Sequence, residues 1–480
     1  MPNDILRFDK GRDYSIHLKK LDTKKNPFDL FKKIYRKYTS AFMLESLTGP
    51  RELSEFSIVG FDPEIIVECD FQKFWAMDRE GLLVYESKVN DPLEQLKSIM
   101  PIVTNYKYRF IGGAVGYISY DAIRFWEFLP AIKKSATQFP IFNFGIYSDG
   151  LLYSQKKRET YYFYIGKKSR LPEIERVICD NENEVNEEQE RISYSKPIGE
   201  IDKYGFMKKI EKARKHIYDG DIFQVVLSRK FSFLLQGDPL IIYQELRKLN
   251  PSPYMYFLKQ DKNYIIGSSP EMLLRSNSRN VETFPIAGTR PVTKDENINK
   301  RLRFDLLNDE KEIAEHTMLV DLARNDLGRV CKFGSVIAKK LMIVKKFSHV
   351  QHIVSHLEGS LDDGKDCFDA FRALFPAGTV TGAPKVRAME IIDELEPSRR
   401  GPYSGAVGYF SFNKSCDFAI TIRSLFVNSN NAYVQAGAGI VMDSIPEKEW
   451  KETLHKAKVM FSALHLARMA NGSRKGTKTW

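Results

Sequence analysis

The chain has 480 residues, of which 43% are hydrophobic and 28% charged, and its formal net charge is +11. These proportions are those of a soluble globular protein, with enough length for one very large domain or two or three ordinary ones. Lysine and arginine are spread along the whole sequence without a long basic run or interleaved aromatic residues, so nucleic acid is not indicated as a partner. A positive field that steers a small polyanionic substrate is another use of the excess charge.

The cysteines and the N-terminus indicate the compartment. Five cysteines lie far apart and form no CxxC pair, so neither a zinc site nor a disulfide framework is suggested. The first residues, MPNDILRFDKGRD, are too polar for a signal peptide, and no apolar stretch reaches the length of a membrane span. We expect a cytoplasmic protein without a membrane partner.

Residues 1–167 form the first predicted region, which is rich in strand-like runs of aromatic and β-branched residues. A helix is predicted over Pro27–Tyr38, followed by a strand that contains Ala41–Ser46. Further strands are predicted at Tyr108–Ile111 and Tyr161–Ile165. The run GGAVGYISYD lacks the GxGxxG order, so a dinucleotide fingerprint is not supported.

Residues 168–200 are highly charged and poor in large apolar side chains, which predicts a connector across the surface. A second region, residues 201–465, begins with an amphipathic helix over Asp202–Asp219 and then mixes strands and helices, with a turn predicted at Pro285–Pro291. Residues 466–480 are predicted to be a frayed basic tail. This mixture of elements indicates an α+β or α/β class.

The stretch Asp309–Asp326, DEKEIAEHTMLVDLARND, begins with clustered charges and continues with apolar residues at helical spacing. Glu312 and Glu315 are three residues apart, so a helix places both carboxylates on one face, about 5–6 Å apart at Cβ. Carboxylates held side by side repel each other unless a cation or a proton lies between them. A solvated pair balanced by Lys311 is the plainer interpretation, and both remain open on this segment alone.

A second carboxylate pair, Glu449 and Glu452, has the same spacing near the C-terminus, with Lys456 four residues beyond Glu452 on the same face. A surface helix with alternating charges has the same pattern. Two such pairs in one chain make a cage of four carboxylates conceivable. Ligands that are all oxygen favour a hard ion, and magnesium is the usual choice when the substrate supplies further oxygens.

Arginine and histidine supply the other candidates. Arg423 lies in the strand-like run AITIRSLFV, where a buried guanidinium needs a partner such as a bidentate ligand carboxylate. His349, His352 and His356 in FSHVQHIVSH are predicted to lie near one helical face. Because no carboxylate or cysteine pattern accompanies them, we interpret His352 as a structural or substrate-contacting residue and not as a metal ligand.

Together these strings resemble the chorismate-utilising enzymes, and within that family most closely the large subunits of anthranilate synthases. The blocks that carry the resemblance are spread over nearly all of residues 202–460: DGDIFQVVLSR, GSSPEMLL, PIAGTRP, DEKEIAEHTMLVDLARNDLGRV, FSHVQHIVS, FPAGTVTGAPKVRAMEII, YSGAVGY, TIRS, QAGAGIV and EKEWKETLHKA. The N-terminal half matches more loosely, through LES and GGAVGYISYD. The resemblance implies an α+β fold, an α/β sandwich of two facing, mostly antiparallel sheets with helices packed outside. It also implies a magnesium-assisted conversion of chorismate.

The resemblance assigns roles to individual residues. Glu315 and Glu452 would bind magnesium directly, and Glu312 and Glu449 would support them. Glu271 of SSPE would be the general acid that protonates the departing 4-hydroxyl group, which requires a raised pKa. The remaining substrate-site residues implied are Tyr403, Arg423, Gly437, Ala438, Gly439, Lys456, Gly288, Thr289 and His352.

Two positions sort the members of this family. Isochorismate and salicylate synthases activate water with a lysine in the strand after GDI, where this chain has Gln224, so ammonia is the expected nucleophile. Aminodeoxychorismate synthases typically carry a nucleophilic lysine in PIKGT, where this chain has Ala287, so ammonia would add directly to the ring. Loss of pyruvate then gives anthranilate. No stretch resembles a glutamine amidotransferase, so a separate small subunit is implied as the source of ammonia.

The resemblance also implies a feedback pocket for tryptophan. Glu45 and Ser46 of LES would lie near its amine, and ordinary core strands are the alternative interpretation. The residues that would lie along its ring are Pro251, Ser252, Tyr254 and Met255. Two other functions stay open: the large subunit of aminodeoxychorismate synthase, and a catalytically idle tryptophan-binding regulator. The four glutamates and Glu271 argue against the idle regulator, because a sensor has no use for them.

Overall fold

The computed structural model describes residues 15–48, 56–103, 108–130, 139–166, 168–179, 191–347 and 350–470. His349, part of the charged connector and residues 471–480 lie outside the described residues. Residues 466–470, predicted as the start of a frayed tail, are instead the end of a helix. The helices are α1 (Pro27–Lys37), α2 (Pro92–Ile99), α3 (Leu171–Cys179), α4 (Lys203–Tyr218), α5 (Pro239–Leu249), α6 (Glu296–Leu307), α7 (Glu310–Gly328), α8 (Cys367–Leu374), α9 (Lys385–Leu395) and α10 (Pro446–Ala470).

Twelve strands precede α4 in the described part of the chain. They are β1 (Ile16–Lys20), β2 (Ser40–Glu45), β3 (Phe56–Phe61), β4 (Ile65–Cys69), β5 (Lys73–Asp78), β6 (Leu83–Lys88), β7 (Gly113–Ile118), β8 (Phe142–Tyr147), β9 (Asp149–Ser154), β10 (Glu159–Ile165), β11 (Ser193–Tyr194) and β12 (Ile198–Gly199).

The strands after α4 carry most of the chemistry-bearing residues. They are β13 (Gln224–Gln236), β14 (Tyr254–Gln260), β15 (Asn263–Ser269), β16 (Met272–Asn277), β17 (Asn280–Thr283), β18 (Ile286–Pro291), β19 (Ile337–Lys346), β20 (Val350–Ser360), β21 (Gly382–Ala383), β22 (Ala406–Ser411), β23 (Cys416–Ile420), β24 (Ser424–Asn428) and β25 (Asn431–Ile440).

Two large sheets contain all of these strands. The first sheet runs in the order β1-β10-β9-β3-β2-β14-β15-β24-β25-β13-β11, with β12 and β21 also paired to β13. The second runs β18-β20-β17-β16-β23-β22-β7-β8-β4-β5-β6, with β19 also paired to β20. The central pairs are antiparallel, for example β2 with β14 and β7 with β22. Strands from both halves of the chain are therefore hydrogen-bonded to one another within each sheet.

The sheets face each other across an aromatic interior, and helices cover their outer faces. Phe42, Tyr256 and Phe426 of the first sheet meet Val115 and Tyr409 of the second in one buried cluster. Helices α1, α3, α5 and α10 pack on the outside of the first sheet, and α2, α7 and α8 pack on the outside of the second. The predicted α+β sandwich of two antiparallel sheets with outer helices is confirmed.

The helix predicted from Asp309 is α7. Asp309 is its N-cap, and its carboxylate accepts the backbone N–H groups of Lys311 and Glu312, a contact that contributes about 1 kcal/mol to a helix. Leu319, Val320 and Leu327 are buried and hold one side of α7 against the protein. The helix predicted over Asp202–Asp219 is likewise found, as α4 with Asp202 as its N-cap.

Three local predictions were wrong. Tyr108–Ile111 is not a strand, although Phe110 and Ile111 are buried. The predicted turn at Pro285–Pro291 is mostly strand β18, whose register shifts between Ala287 and Arg290. The predicted histidine helix is strand β20. A spacing of three and four residues between histidines is also typical of a helix. The residues between these histidines include β-branched side chains, which favour a strand, and the segment pairs as a strand in the sheet.

In the described part of the chain, no helix is both long and apolar enough to cross a membrane.

Candidate active site

One corner of the candidate site is formed where β13 and β25 pair. Gln224 begins β13, and Gly437 and Gly439 lie opposite Ser228 and Val226. A Cβ atom on Gly439 would lie 2.7 Å from Nε2 of Gln224, and one on Gly437 would lie 2.9 Å from the hydroxyl of Tyr403. Only glycine therefore allows the side chains of Gln224 and Tyr403 to lie against this strand. The pairing also places Ala438, which is fully buried, between the two glycines.

Lys456 of α10 reaches the same strand. Its Nζ donates to the carbonyl of Gly437 at 3.0 Å and forms an ion pair with Glu452 at 2.8 Å. The α10 helix is thereby connected to the glycine-bearing segment of β25. Since Lys456 lies four residues beyond Glu452, this contact also confirms that the two side chains share a helix face.

Glu271 lies in the turn between β15 and β16 and is 8% exposed. Burial raises the pKa of its carboxyl from 4.5 to about 7, opposed by the neighbouring Thr379 hydroxyl and by the positive charges of Arg423 and Lys456. A carboxylic acid with a pKa near 7 is largely protonated just below neutral pH and can still release its proton. Its environment therefore suits a general acid.

Arg423 is not inside a strand, as its sequence context suggested, but in the link between β23 and β24. Its φ is 51°, in the left-handed region that non-glycine residues seldom adopt. Burial lowers the pKa of its guanidinium, and the nearby Glu271 opposes that effect. A strained backbone that holds a desolvated cation beside a carboxylic acid is typical of a site that recognises an anion.

His352 lies on β20 beside β18. Its Nδ1 is 2.8 Å from the carbonyl of Gly288 and 3.1 Å from the hydroxyl of Thr289. A carbonyl only accepts, so Nδ1 carries the proton and Nε2 is the free acceptor. Burial lowers the pKa of His352 to about 4. The ring is therefore neutral at physiological pH.

The two described histidines of β20 do not form one cluster. His356 stacks on Phe284 and bonds through Nε2 to Glu282 at 2.8 Å. Its partners differ from those of His352, so the two side chains have different surroundings.

The first carboxylate pair lies on α7 beside these groups. Glu315 accepts from Nε2 of Gln224 at 3.3 Å, and Glu312 is paired with Arg290 at 3.2 Å. A Cβ on Gly288, whose φ is +65°, would lie 3.1 Å from Oε2 of Glu312. Burial raises the pKa of the Glu315 carboxyl, and the charge of Glu312 raises it further. The structure therefore brings β13, β18 and the first turns of α7 together around this pair.

The second carboxylate pair shares its cationic neighbours with the first. Burial raises the pKa of the Glu449 carboxyl, the Ser444 hydroxyl opposes that effect, and Glu452 adds to it. The positive charges of Lys311 and Lys456 favour a lower pKa for Glu449 and also for Glu315 of the first pair. The two pairs therefore flank one region.

No ligand geometry for a metal is preassembled. Among the described residues, no group of three or more histidine, cysteine, aspartate or glutamate side chains converges closely enough to hold an ion. The donor chemistry nevertheless fits magnesium, because all four groups are carboxylates. Two of them, Glu315 and Glu449, have raised pKa values that a nearby divalent cation would lower.

The segments proposed for a tryptophan pocket also come together. Leu47 N donates to the carbonyl of Ser252, and the Thr48 hydroxyl donates to the carbonyl of Pro251, both at 3.1 Å. Beside them lies a cavity between the sheets, with a volume of about 710 Å³ including its open mouth. Its walls include Glu45, Ser46, Phe56, Tyr108, Pro253, Tyr254, Met255, Arg275, Tyr409 and Asp417. Pro251 and Ser252, expected along the ring of the ligand, are not among the residues that line this cavity.

The carboxylate of Glu45 is already engaged. Arg247 binds both of its oxygens, at 2.6 and 3.0 Å, and the Tyr243 hydroxyl donates to it at 2.8 Å. The polar side chains at the other wall of the cavity are Arg275 and Asp417, joined at 2.8 Å. Sequence reasoning missed this pair, although a charged residue within each of two buried strands was the available signal.

Sequence reasoning also missed Arg290, which follows Thr289. It forms ion pairs with Asp305, Asp309 and Glu312 at 2.7, 2.8 and 3.2 Å. An arginine inside the apolar run PIAGTRP was the same signal that singled out Arg423.

The site combines an acid whose pKa is raised to about 7, a neutral histidine and two cations with two carboxylate pairs, which indicates an enzyme. The family of chorismate binding enzymes matches residues 68–462, and the chain belongs to that family. It is an enzyme that acts on chorismate.

Three comparisons refine this statement. The chain is 45% identical over 444 residues to anthranilate synthase component 1 of Methanothermobacter marburgensis, covering 92% of this chain and 94% of that protein. Its structure is similar to that of anthranilate synthase component I from Streptococcus pneumoniae, with a TM-score of 0.74, 36% identity, and coverage of 86% of this chain and 93% of that chain. It is also 38% identical to aminodeoxychorismate synthase component 1 of Bacillus subtilis over 465 residues, covering 94% of this chain and 97% of that protein.

Proposed function

We propose that the chain is the synthase subunit of an anthranilate synthase. It converts chorismate and ammonia to anthranilate, pyruvate and water, the first committed step of tryptophan biosynthesis. The observation that carries this proposal is Glu271, a buried acid with a pKa near 7 beside Arg423 and Lys456. Such a group can protonate a leaving hydroxyl while the two cations bind the carboxylates of a dianionic substrate.

Each residue then has a defined part. Arg423 and Tyr403 hold the enolpyruvyl carboxylate, and the neutral His352 and Thr289 line the ring. Glu271 gives its proton to the 4-hydroxyl group, which leaves as water while ammonia adds at C2. Loss of the C2 proton and of the enolpyruvyl group, released as pyruvate, makes the ring aromatic.

The carboxylate pairs would hold magnesium. Glu315 and Glu452 would be direct ligands, and Glu312 and Glu449 would support them. Bound magnesium would supply positive charge opposite the ring carboxylate of the substrate. Lys456 and Arg290, which now pair with Glu452 and Glu312, keep these carboxylates oriented.

Gln224 and Ala287 favour ammonia as the nucleophile. The amide of Gln224 donates to Glu315, and an amide cannot take a proton from water at neutral pH. Ala287 is buried and has no nucleophilic atom. A separate glutamine amidotransferase subunit would supply the ammonia in the cell, so we expect turnover with ammonium salts and none with glutamine when the chain is alone.

The second candidate is the large subunit of an aminodeoxychorismate synthase, because the chain is 38% identical to such a protein of Bacillus subtilis. Identification of the product distinguishes the two candidates. The purified chain is incubated with chorismate, ammonium and magnesium, and the products are separated and followed by anthranilate fluorescence. Anthranilate with equimolar pyruvate supports the first candidate. Accumulation of aminodeoxychorismate during long incubation would establish the second.

The metal assignment has its own test. Glu452→Gln should abolish magnesium-dependent turnover and weaken the binding of Mn²⁺, used as a spectroscopic substitute, while the circular dichroism spectrum is unchanged. Glu447→Gln is the matched control, because Glu447 lies on the same helix, is exposed and pairs with Lys203 at 2.8 Å. Full activity in Glu452→Gln would refute the assignment.

We further propose that the cavity between the sheets binds tryptophan as a feedback inhibitor. Its aromatic walls suit an indole ring, and Arg275 and Asp417 offer both charges that an amino acid needs.

A further inference from the structure

Arg229 of β13 is a deeply buried cation that the proposed chemistry does not use. It is 2% exposed. Burial lowers the pKa of its guanidinium to about 10, and no carboxylate among the described residues opposes that effect. Taking a charge out of water without an opposite charge is unfavourable. We therefore looked for a role of Arg229 in the contacts that its guanidinium makes.

Other buried arginines show the usual arrangement. Arg400 is paired with Glu396 at 2.7 Å, and Arg275 is paired with Asp417 at 2.8 Å. Arg229 instead lies among rings. Its guanidinium carbon is 3.3 Å from the ring centre of Trp450 and 5.2 Å from that of Phe206. Aromatic faces replace the carboxylate as the partner of this charge.

The polar contacts of Arg229 all go to helix α10. Nε and Nη2 donate to the Thr453 hydroxyl at 2.9 and 2.6 Å, and Nη2 is 3.4 Å from the carbonyl of Trp450. Thr453 is fully buried. The planar guanidinium donates to the Thr453 hydroxyl and stacks on the Trp450 ring one turn earlier. These two contacts fix the distance of α10 from β13 and the rotation of α10 about its axis.

Each of the two α10 residues that contact Arg229 comes directly after a glutamate of the second carboxylate pair. Trp450 comes after Glu449, and Thr453 comes after Glu452. Successive helical residues are about 100° apart around the axis, so the face held by Arg229 determines where the carboxylate face points. A rotation of about 20° would move a group about 5–6 Å from the axis by about 2 Å. Productive site geometry tolerates displacements of only about 0.5 Å.

We propose that Arg229 is a positioning residue, which fixes the rotation of α10 about its axis and so directs Glu449, Glu452 and Lys456 toward the candidate active site. This inference rests on the proposed function only for the identity of what those side chains bind. The contact of Lys456 with the Gly437 carbonyl of β25 depends on the same rotation.

The test compares three variants of the full chain. Arg229→Met keeps an unbranched apolar stem and removes the charge and the donors. Arg229→Lys keeps the charge but has neither the planar stack nor the fork. Phe461→Ala is the matched control, because Phe461 lies further along α10 and packs on Phe231 and Phe233 with ring centres 5.7 and 6.4 Å away. It destabilises the helix packing and leaves Thr453 and Trp450 in place, together with Phe231, whose ring centre lies 4.9 Å from the Arg229 guanidinium.

Three measurements are made on each variant: amide hydrogen exchange over residues 446–456, Mn²⁺ binding without substrate, and kcat and KM for chorismate. We expect Arg229→Met to accelerate exchange and to weaken Mn²⁺ binding and raise the KM by about tenfold or more. Arg229→Lys should remain impaired. Phe461→Ala should lower the melting temperature and leave exchange over residues 446–456 and Mn²⁺ affinity unchanged.

The inference is overturned if Arg229→Met shows wild-type exchange and Mn²⁺ affinity, if Phe461→Ala produces the same changes, or if Arg229→Lys restores wild-type values. A failure of the metal assignment is distinguishable from these results. In that case Glu452→Gln would bind Mn²⁺ normally, while the exchange data would still report whether Arg229 orders α10.

Discussion

Replacing Glu271 by glutamine tests the acid assignment and the physical reason for it together. Glu271→Gln keeps the shape of the side chain and removes its transferable proton, so we expect turnover to fall by about 10²- to 10⁴-fold. In the wild type, the pKa of about 7 predicts that kcat/KM falls about tenfold per pH unit above pH 7, since only the protonated acid is competent. Anthranilate fluorescence across pH 6–9, at a constant concentration of free ammonia, measures both effects.

The same raised pKa has a consequence for stability, and its sign is fixed by linkage. Between pH 4.5 and 7 the folded state holds the Glu271 proton more tightly than the unfolded state. The contribution of Glu271 to the free energy of unfolding is therefore fully present below pH 4.5 and is lost as the pH rises to 7. Between pH 5.5 and 8, wild type should lose about 2 kcal/mol relative to Glu271→Gln. The inactive variant should thus be the more stable protein at pH 8.

Urea unfolding at pH 5.5 and pH 8 measures this difference. Glu68→Gln is the matched control, because burial also raises the pKa of Glu68, whose carboxylate accepts from Trp75 and Asn143 far from the site. It should change the pH dependence of stability without changing the pH profile of kcat/KM. If the stability of Glu271→Gln and wild type changed in parallel with pH, the raised pKa of Glu271 would be refuted.

Two further predictions concern the cavity wall. Ser46→Ala should raise the tryptophan concentration for half inhibition about tenfold, because a hydroxyl at the wall is lost; an unchanged inhibition curve would remove Ser46 from the pocket. Arg247→Met should destabilise the fold by about 3 kcal/mol in urea, because Glu45 is left buried without its cation; a loss below about 1 kcal/mol would show that Tyr243 alone satisfies that carboxylate.

The sequence predicted the sandwich and the α7 and α10 helices, because helix spacing and ordered family blocks carry that information. It could not give the contacts that depend on which strands become neighbours. The grip of Arg229 on Thr453 joins residues 224 positions apart, and the pairing of Arg275 with Asp417 joins residues 142 apart. The histidine run was misassigned for a related reason: a spacing of three and four fits a helix, but the sheet neighbours of β20 decided its conformation.

The strands that line the cavity continue directly into the candidate active site. β14 supplies Tyr254 and Met255 to the cavity wall, and its hairpin partner β15 ends two residues before Glu271. On the opposite sheet, β23 supplies Asp417, and Ile420, the last residue of β23, donates its N–H to the carbonyl of Glu271 at 3.1 Å. Arg423 follows three residues later. Glu271 is therefore held by elements of both sheets, and a ligand that changed the spacing of the sheets at the cavity would act on the acid from both sides.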